Sequence, residues 1–333
     1  MGLPKPNLEP PFHIVRVAYV DWSITDMGYS REFYHDIVGY HLEEETPDTL
    51  YLRGMEERNH HSLVLRKADK PLVNALGFRV RTEDDLDKAY AFYTGKGLPV
   101  EWVERAAQGR TLKVRDPFGI PCEFYAEMDY VDDILQKYGL YHGSRIQRID
   151  HVNLFHNDVN AATAFYANEL GFQMTEATIG DINNLDSDIW ASWMHRKGGV
   201  HDIAFTNGTG PRLHHIGVWN PSVMDIIHLC DVLATTGHRD ALERGPGRHG
   251  ISNAFFLYIR DRDGHRLEPF ACDYLTMDPD LPPRLWDLQD PQRQTLWGQA
   301  APRTWFELGS LFDSVTPAES RLFADKSPII APE

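Results

Sequence analysis

The chain repeats itself, and self-similarity of this kind restricts a fold more than any local pattern does. The segment RVAYVDWSITDMGYSREFYHDIVGYHLEEE from Arg16 and the segment RIDHVNLFHNDVNAATAFYANELGFQMTEA from Arg148 follow one plan. Each opens on a short alternating strand, passes a polar turn and enters a helix carrying Phe33-Tyr34 or Phe165-Tyr166. Each helix then meets a glycine, Gly39 or Gly171, which suits the left-handed conformation at a helix C-terminus, and a strand follows. A second unit starts with NALGFRVR from Asn74 and again with RLHHIGVW from Arg212. Each runs through a helix to a glycine (Gly97, Gly237) and closes in strands ending RDPFGIPCEFYAE (Arg115 to Glu127) or RDRDGHRLEPFAC (Arg260 to Cys272). Asp-Pro-Phe-Gly and Asp-Arg-Asp-Gly are turn sequences between the last two strands. The expectation is an α+β fold of four βαβββ modules, two to a domain.

A length of 333 residues fits two domains of ~150 residues each. The boundaries predicted are 12–130 and 146–276, joined by a helix in YVDDILQKYGLYHGSR. From 277 to 333 the repeat fails. That stretch is Pro-rich but carries Trp286, Trp297 and Trp305, too many large aromatics for a disordered tail. It reads as an ordered extension over the second domain and its active site, with only the last ~15 residues loose.

The balance of charge, 33 − 49 = −16, repels nucleic acid and anionic lipid, which leaves a small molecule as the expected partner. No run approaches the ~20 apolar residues of a membrane span, and the first residues lack a basic segment followed by an apolar one. Cys122, Cys230 and Cys272 are odd in number without metal-type spacing, so they read as buried, reduced thiols. The cytoplasm is the compartment these features suit.

Setting the two repeats in register gives an internal control: residues needed for folding recur, and residues needed for one site do not. Tyr19 stands where His151 does, Gly77 where His215 does, and Glu123 where Glu268 does. Only the second domain has ligand-type residues at all three places. Two imidazoles and a carboxylate from separate strands form the triad suited to Fe(II), with open positions for substrate and dioxygen, and Mn(II) fits as well. A lone histidine is more often a hydrogen-bonded core side chain than a ligand; the register argues against that here. Glu268 is the weakest member, since Glu123 shows that a carboxylate here can be structural. His214 and His215 are adjacent on a strand, so one of them faces the site, and register does not choose between them.

The chain resembles the type I extradiol ring-cleaving dioxygenases of the vicinal oxygen chelate superfamily. The similarity runs over nearly its whole length, most densely in RIDHVN, WMHRK, VHD, GPRLHHIG, ERGPGRHGISNAF, LYIRDRDGHRLE and DYLTMDPD. The resemblance implies the vicinal oxygen chelate fold and cleavage of a catechol, such as 3,4-dihydroxyphenylacetate, by dioxygen to a muconic semialdehyde. It also implies a homotetramer, and it selects His215 as the second histidine ligand. Residue by residue it makes His201 the acid-base group, an imidazole titrating near neutrality being suited to take and return the catechol proton. Asn153 and Tyr258 fall near the reacting oxygens, Trp193 against the ring, and Arg244, His249 and Arg293 toward a substrate carboxylate. Two departures stand out: Gln294 follows Arg293 where the family pattern has a second arginine, and Phe270 replaces a tyrosine. Pro269 removes a backbone donor beside Glu268, so that strand position is expected to be unpaired or bulged. A glyoxalase-like isomerase or lyase, which would bring a fourth protein ligand, and a non-catalytic binder on the same fold are the alternatives.

Overall fold

The computed structural model describes residues 2–278, 281–320 and 322–323, so the stretch expected to be loose lies largely outside it. Four βαβββ modules follow one another. The first is β1 (Ile14–Ile24), α1 (Met27–Arg31) continuing as a π-helical turn (Glu32–Val38), β2 (His41–Thr46), β3 (Thr49–Arg53) and β4 (Leu63–Lys67). The second is β5 (Val73–Val80), α2 (Glu83–Gly95), β6 (Val100–Val103), β7 (Thr111–Arg115) and β8 (Pro121–Tyr125). The third is β9 (Arg148–His156), α3 (Val159–Asn168), β10 (Gln173–Ile179), β11 (Ile189–His195) and β12 (Ile203–Asn207). The fourth is β13 (Arg212–Trp219), α4 (Val223–Thr235), β14 (Leu242–Arg248), β15 (Phe255–Arg260) and β16 (Arg266–Ala271). The glycines read as helix stops have φ of 105° at Gly39, 69° at Gly97, 71° at Gly171 and 85° at Gly237.

Two mixed sheets result, ordered β2-β3-β4-β1-β5-β8-β7-β6 and β14-β15-β16-β13-β9-β12-β11-β10-β17, the last strand being Arg284–Asp287. In each sheet the opening strands of two modules pair antiparallel at the centre, β1 with β5 and β9 with β13. Each opening strand also pairs in parallel with the closing strand of its own module, β8 beside β5 and β16 beside β13. One hydrophobic core runs through both sheets, from Trp22, Tyr34 and Phe124 to Phe172, Phe205 and Leu257. Polar ties cross between them: the Tyr34 hydroxyl donates to Asp261 at 2.8 Å, and the His265 ring stacks on Trp22 at 4.4 Å.

The register corrects one expectation. Gly77 pairs with Tyr19, and Gly217 pairs with His151; Gly77 also pairs with Glu123, and Gly217 with Glu268. Gly77 is therefore the counterpart of Gly217, and the counterpart of His215 is Ala75, which faces Asp21 as His215 faces Asn153. The sequence alignment had slipped by two residues, a shift that keeps every side chain on its face. The glycine recurs for a packing reason: a Cβ there would run into the ring across the strand, Tyr19 in one sheet and His151 in the other.

Three further expectations change. The joining segment is no helix; it holds one 3-10 turn, Tyr138–Leu140, since glycines at 139 and 143 interrupt a stretch with little apolar periodicity. Cys122 is buried, but Cys230 is only half-buried and Cys272 is exposed. The extension packs against both sheets: β17 adds to β10, α5 (Arg303–Glu307) buries Trp305, and Phe312 bridges to Val73 of β5. Among the described residues no helix is long and apolar enough to cross a membrane.

Gly77→Ala and Gly217→Ala are each expected to destabilise the fold by ~1–3 kcal/mol through overpacking, read as a lower Tm. Only Gly217→Ala is expected to displace His151 and reduce bound metal as well. Equal metal content in the two variants would contradict this reading of the paired glycines.

Candidate active site

Three adjacent strands at the centre of the second sheet carry a row formed by His151 on β9, Gly217 on β13 and Glu268 on β16. His215 stands two residues before the glycine. With no side chain at Gly217, the rings of His151 and His215 and the Glu268 carboxylate converge. His151 Nε2 lies 3.2 Å from His215 Nε2 and 3.1 Å from Glu268 Oε2, and His215 Nε2 lies 2.9 Å from the same oxygen. All three residues are buried, and among the described residues they are the group of His, Cys, Asp or Glu whose ligand atoms come within 4.8 Å of one another. Pro269 leaves the β15–β16 ladder open at this point: Phe256 pairs with Phe270 and Ile259 with Leu267, with no pairing between them.

The hydrogen bonds decide which nitrogen each imidazole offers. His214 Nε2 lies 2.7 Å from the Trp305 carbonyl, which only accepts, so His214 Nε2 carries the proton. Burial holds His214 neutral, its pKa far below the ordinary value, so its Nδ1 is an acceptor. His215 Nδ1, 2.5 Å away, must then donate, which leaves a lone pair on His215 Nε2. His151 Nδ1 likewise faces Asp150 at 3.0 Å and frees its Nε2. Orientation of a ligand histidine through its second nitrogen is the usual arrangement at metal sites. The two neighbouring histidines do not face opposite ways, because the register shifts between Leu213 and His215 and the resulting bulge sets their rings 4.8 Å apart.

The electrostatics also fit a cation. Burial disfavours charge on all three groups, yet His215 and His151 hold the Glu268 carboxyl well below its ordinary range. Burial lowers His215 to about 4 against the pull of Glu268. At His151, Asp150 and Glu268 overcome burial and raise the pKa to about 9, so a proton binds where two buried carboxylates meet. A divalent ion would supply that positive charge.

The site floors a cavity in the second sheet. His151, Asn153, Trp193, His201, His215, His249, Tyr258, Glu268 and Arg293 all line it, and Arg244 does not. The Arg244 guanidinium lies over the Trp305 ring at 4.7 Å and over Phe256 at 4.8 Å, behind the wall. His201 packs against His151 with ring centroids 3.8 Å apart and the rings tilted by 35°, and its Nδ1 is buried without a partner. His249 Nδ1 donates to the Gln294 carbonyl, so its Nε2 accepts from the Tyr258 hydroxyl at 3.1 Å. Gln294 and Trp305 of the extension line the cavity too, as do Trp190 and Asp273, which were not singled out in the sequence. Asp150 and Lys197 behind the ligands also went unread. The repeat held one further signal: Leu63 pairs with Val20 as Ile203 does with Val152, so His61 is the counterpart of His201.

Residues 16–124 and 148–268 match the family described as the Glyoxalase/Bleomycin resistance protein/Dioxygenase superfamily. The chain belongs to that superfamily. It is 32% identical over 300 residues to the manganese-dependent 2,3-dihydroxybiphenyl 1,2-dioxygenase of Geobacillus genomosp. 3, covering 85% of this chain and 93% of that protein. Among solved structures, homoprotocatechuate 2,3-dioxygenase of Arthrobacter globiformis superposes with a TM-score of 0.88 at 40% identity, covering 95% of this chain and 98% of that one. The Brevibacterium fuscum enzyme, in its anaerobic complex with 3,4-dihydroxyphenylacetate, does so with a TM-score of 0.88 at 41% identity, covering 95% and 99%. Extradiol cleavage of a catechol ring is accordingly the activity of this vicinal oxygen chelate fold, and the metal is Fe(II) or Mn(II).

His151→Ala, His215→Ala and Glu268→Ala are each expected to lose bound metal and ring cleavage. His214→Ala should bind metal about 10- to 100-fold more weakly, because it frees the His215 ring without removing a ligand. Metal analysis of the four purified variants checks this. Full loss in His214→Ala with retention in His215→Ala would reverse the assignment.

Proposed function

We propose that the substrate is a substituted catechol bound at His151, His215 and Glu268, with an acidic substituent met by Arg293. The observation carrying this is the convergence of three ligand atoms at the floor of a buried cavity walled by Trp190 and Trp193. A divalent metal held by His151, His215 and Glu268 would bring catechol and dioxygen together and supply a path for electrons between them. His201 is neutral, burial holding its pKa well below the ordinary value, and it lines the cavity, where a neutral imidazole can accept the proton a catechol gives up and later return it. The Asn153 carbonyl accepts from the Thr206 hydroxyl at 3.1 Å, leaving its N–H groups to meet an oxygen in the cavity. The Tyr258 hydroxyl, held by His249, orients on the same side.

The Arg293 guanidinium is buried, stacks over Trp190 at 4.8 Å and keeps Nη1 without a partner, as a group awaiting an anion would. Gln294 lines the cavity beside it without charge. A single arginine, with Arg244 behind the wall, holds an acid less selectively than a pair would. Fe(II) and Mn(II) use the same donors in this reading. The assembly that goes with it is a homotetramer, measurable by light scattering.

Anaerobic loading with each metal, followed by a screen of substituted catechols for yellow product, tests the function; absence of ring cleavage with every catechol and both metals would refute it. His201→Ala should retain metal and catechol binding while kcat falls ~100-fold to 10,000-fold. Wild-type turnover at saturating dioxygen would remove His201 from its role. The wild type should cleave both 3,4-dihydroxyphenylacetate and 4-methylcatechol, and Gln294→Arg should raise the preference for the acid by roughly 10- to 150-fold. Rejection of the neutral catechol by the wild type, with no change in Gln294→Arg, would place the acid's anchor elsewhere.

A further inference from the structure

We propose that Lys197 is a positioning residue that locks the segment carrying His201 onto the strand carrying His151. The inference rests on His201 being the acid-base group. The His201 ring has no hydrogen bond at its buried Nδ1, so its place is set mainly from its backbone. That backbone leaves β11 through Arg196, Lys197, Gly198 and Gly199, and adjacent glycines give a chain little stiffness of its own.

The Lys197 ammonium bridges the gap. Nζ donates to the carbonyl of His201 at 2.6 Å and to the carbonyl of Asp150, the residue before ligand His151, also at 2.6 Å. It lies 3.6 Å from the Asp150 carboxylate, which holds His151 Nδ1, and 3.4 Å from that of Asp202. Asp202 closes the loop by accepting the backbone N–H of Arg196 at 2.7 Å and of Lys197 at 3.0 Å, and it reaches the first sheet by accepting that of Val17 at 2.9 Å. One cation thus ties the acid-base residue, the ligand strand and two buried carboxylates together.

The first sheet shows the arrangement without the latch. His61 occupies the place of His201, but Ala18 stands in register with Asp150, and the residue four positions before His61 is Glu57 where Lys197 precedes His201. There the histidine is held through its own ring, by Gln108 at 3.1 Å, and lies 5.2 Å from Tyr19 rather than the 3.8 Å that separates His201 from His151. The histidine recurs in both sheets, and the lysine appears only where a metal ligand lies beside it.

Lys197→Met and Lys197→Arg, each alone and combined with His201→Ala, test the proposal through kcat, KM for the catechol, metal per chain and Tm. Lys197→Met should keep its metal and a KM within a few-fold while kcat falls about 10- to 100-fold, the scale of a displaced reacting group. Lys197→Arg keeps the charge opposite Asp150 and Asp202, so it should restore Tm while recovering only part of kcat, and it carries the comparison if Lys197→Met fails to fold. In the His201→Ala background either change should alter kcat by less than about 2-fold, since a residue acting through His201 has nothing left to position. An equal loss in both backgrounds, unchanged kcat in the single variants, or loss of metal would overturn the proposal. A His201→Ala enzyme with wild-type turnover would instead overturn the acid-base assignment beneath it.

Discussion

Glu268 is a buried carboxylate whose Oε2 faces two imidazole nitrogens at about 3 Å, and the rest of the second sheet is organised to make that contact. Burial works against every charge in the cluster, so it persists only if a cation shares it. The sheet supplies the geometry through a missing side chain: Gly217 lets the His151 ring lie across β13 toward Glu268. Asp150, His214 and the Trp305 carbonyl then fix which nitrogen each ring presents. The extension that carries Trp305 and Arg293 is therefore part of the site as well as its cover.

The first sheet shows how the same scaffold satisfies its carboxylate with protein groups alone. Its row is Tyr19, Gly77 and Glu123. The Tyr19 hydroxyl donates to Glu123 at 2.5 Å, and Arg105 donates from Nε at 3.0 Å, so an arginine meets the buried carboxylate. Burial and Glu123 hold the Tyr19 phenol protonated, its pKa well above the ordinary value. The two halves thus satisfy one recurring carboxylate in two ways, by a side-chain cation in one and by two imidazoles placed to share a metal in the other. A fourth protein ligand, which a glyoxalase-like lyase would need, has no counterpart in either row among the described residues.

Much of this was legible in the sequence because it is written in short periods. Strand alternation and helix-stopping glycines mark all four modules, Asp-x-x-Gly turns mark the second and fourth, and the three ligand positions stand out because one repeat lacks them. What was misread depends on detail that periodicity does not carry. A slip of two residues leaves every face unchanged, so Gly77 passed for the counterpart of His215 until the pairing showed Ala75. The bulge at His214 broke the alternation used to separate the two histidines. Asp150 and Lys197 were missed because their roles lie in bonds to a ligand ring and to backbone carbonyls, which follow from the folded loop rather than from residue type.

Anomalous diffraction at the iron edge, from crystals prepared anaerobically with Fe(II), tests the central claim most directly. The account predicts one peak per chain, bounded by His151 Nε2, His215 Nε2 and the Glu268 carboxylate, and none beside Tyr19 and Glu123. A second peak in the first sheet, or an iron held elsewhere while the three residues stay bonded only to one another, would contradict it.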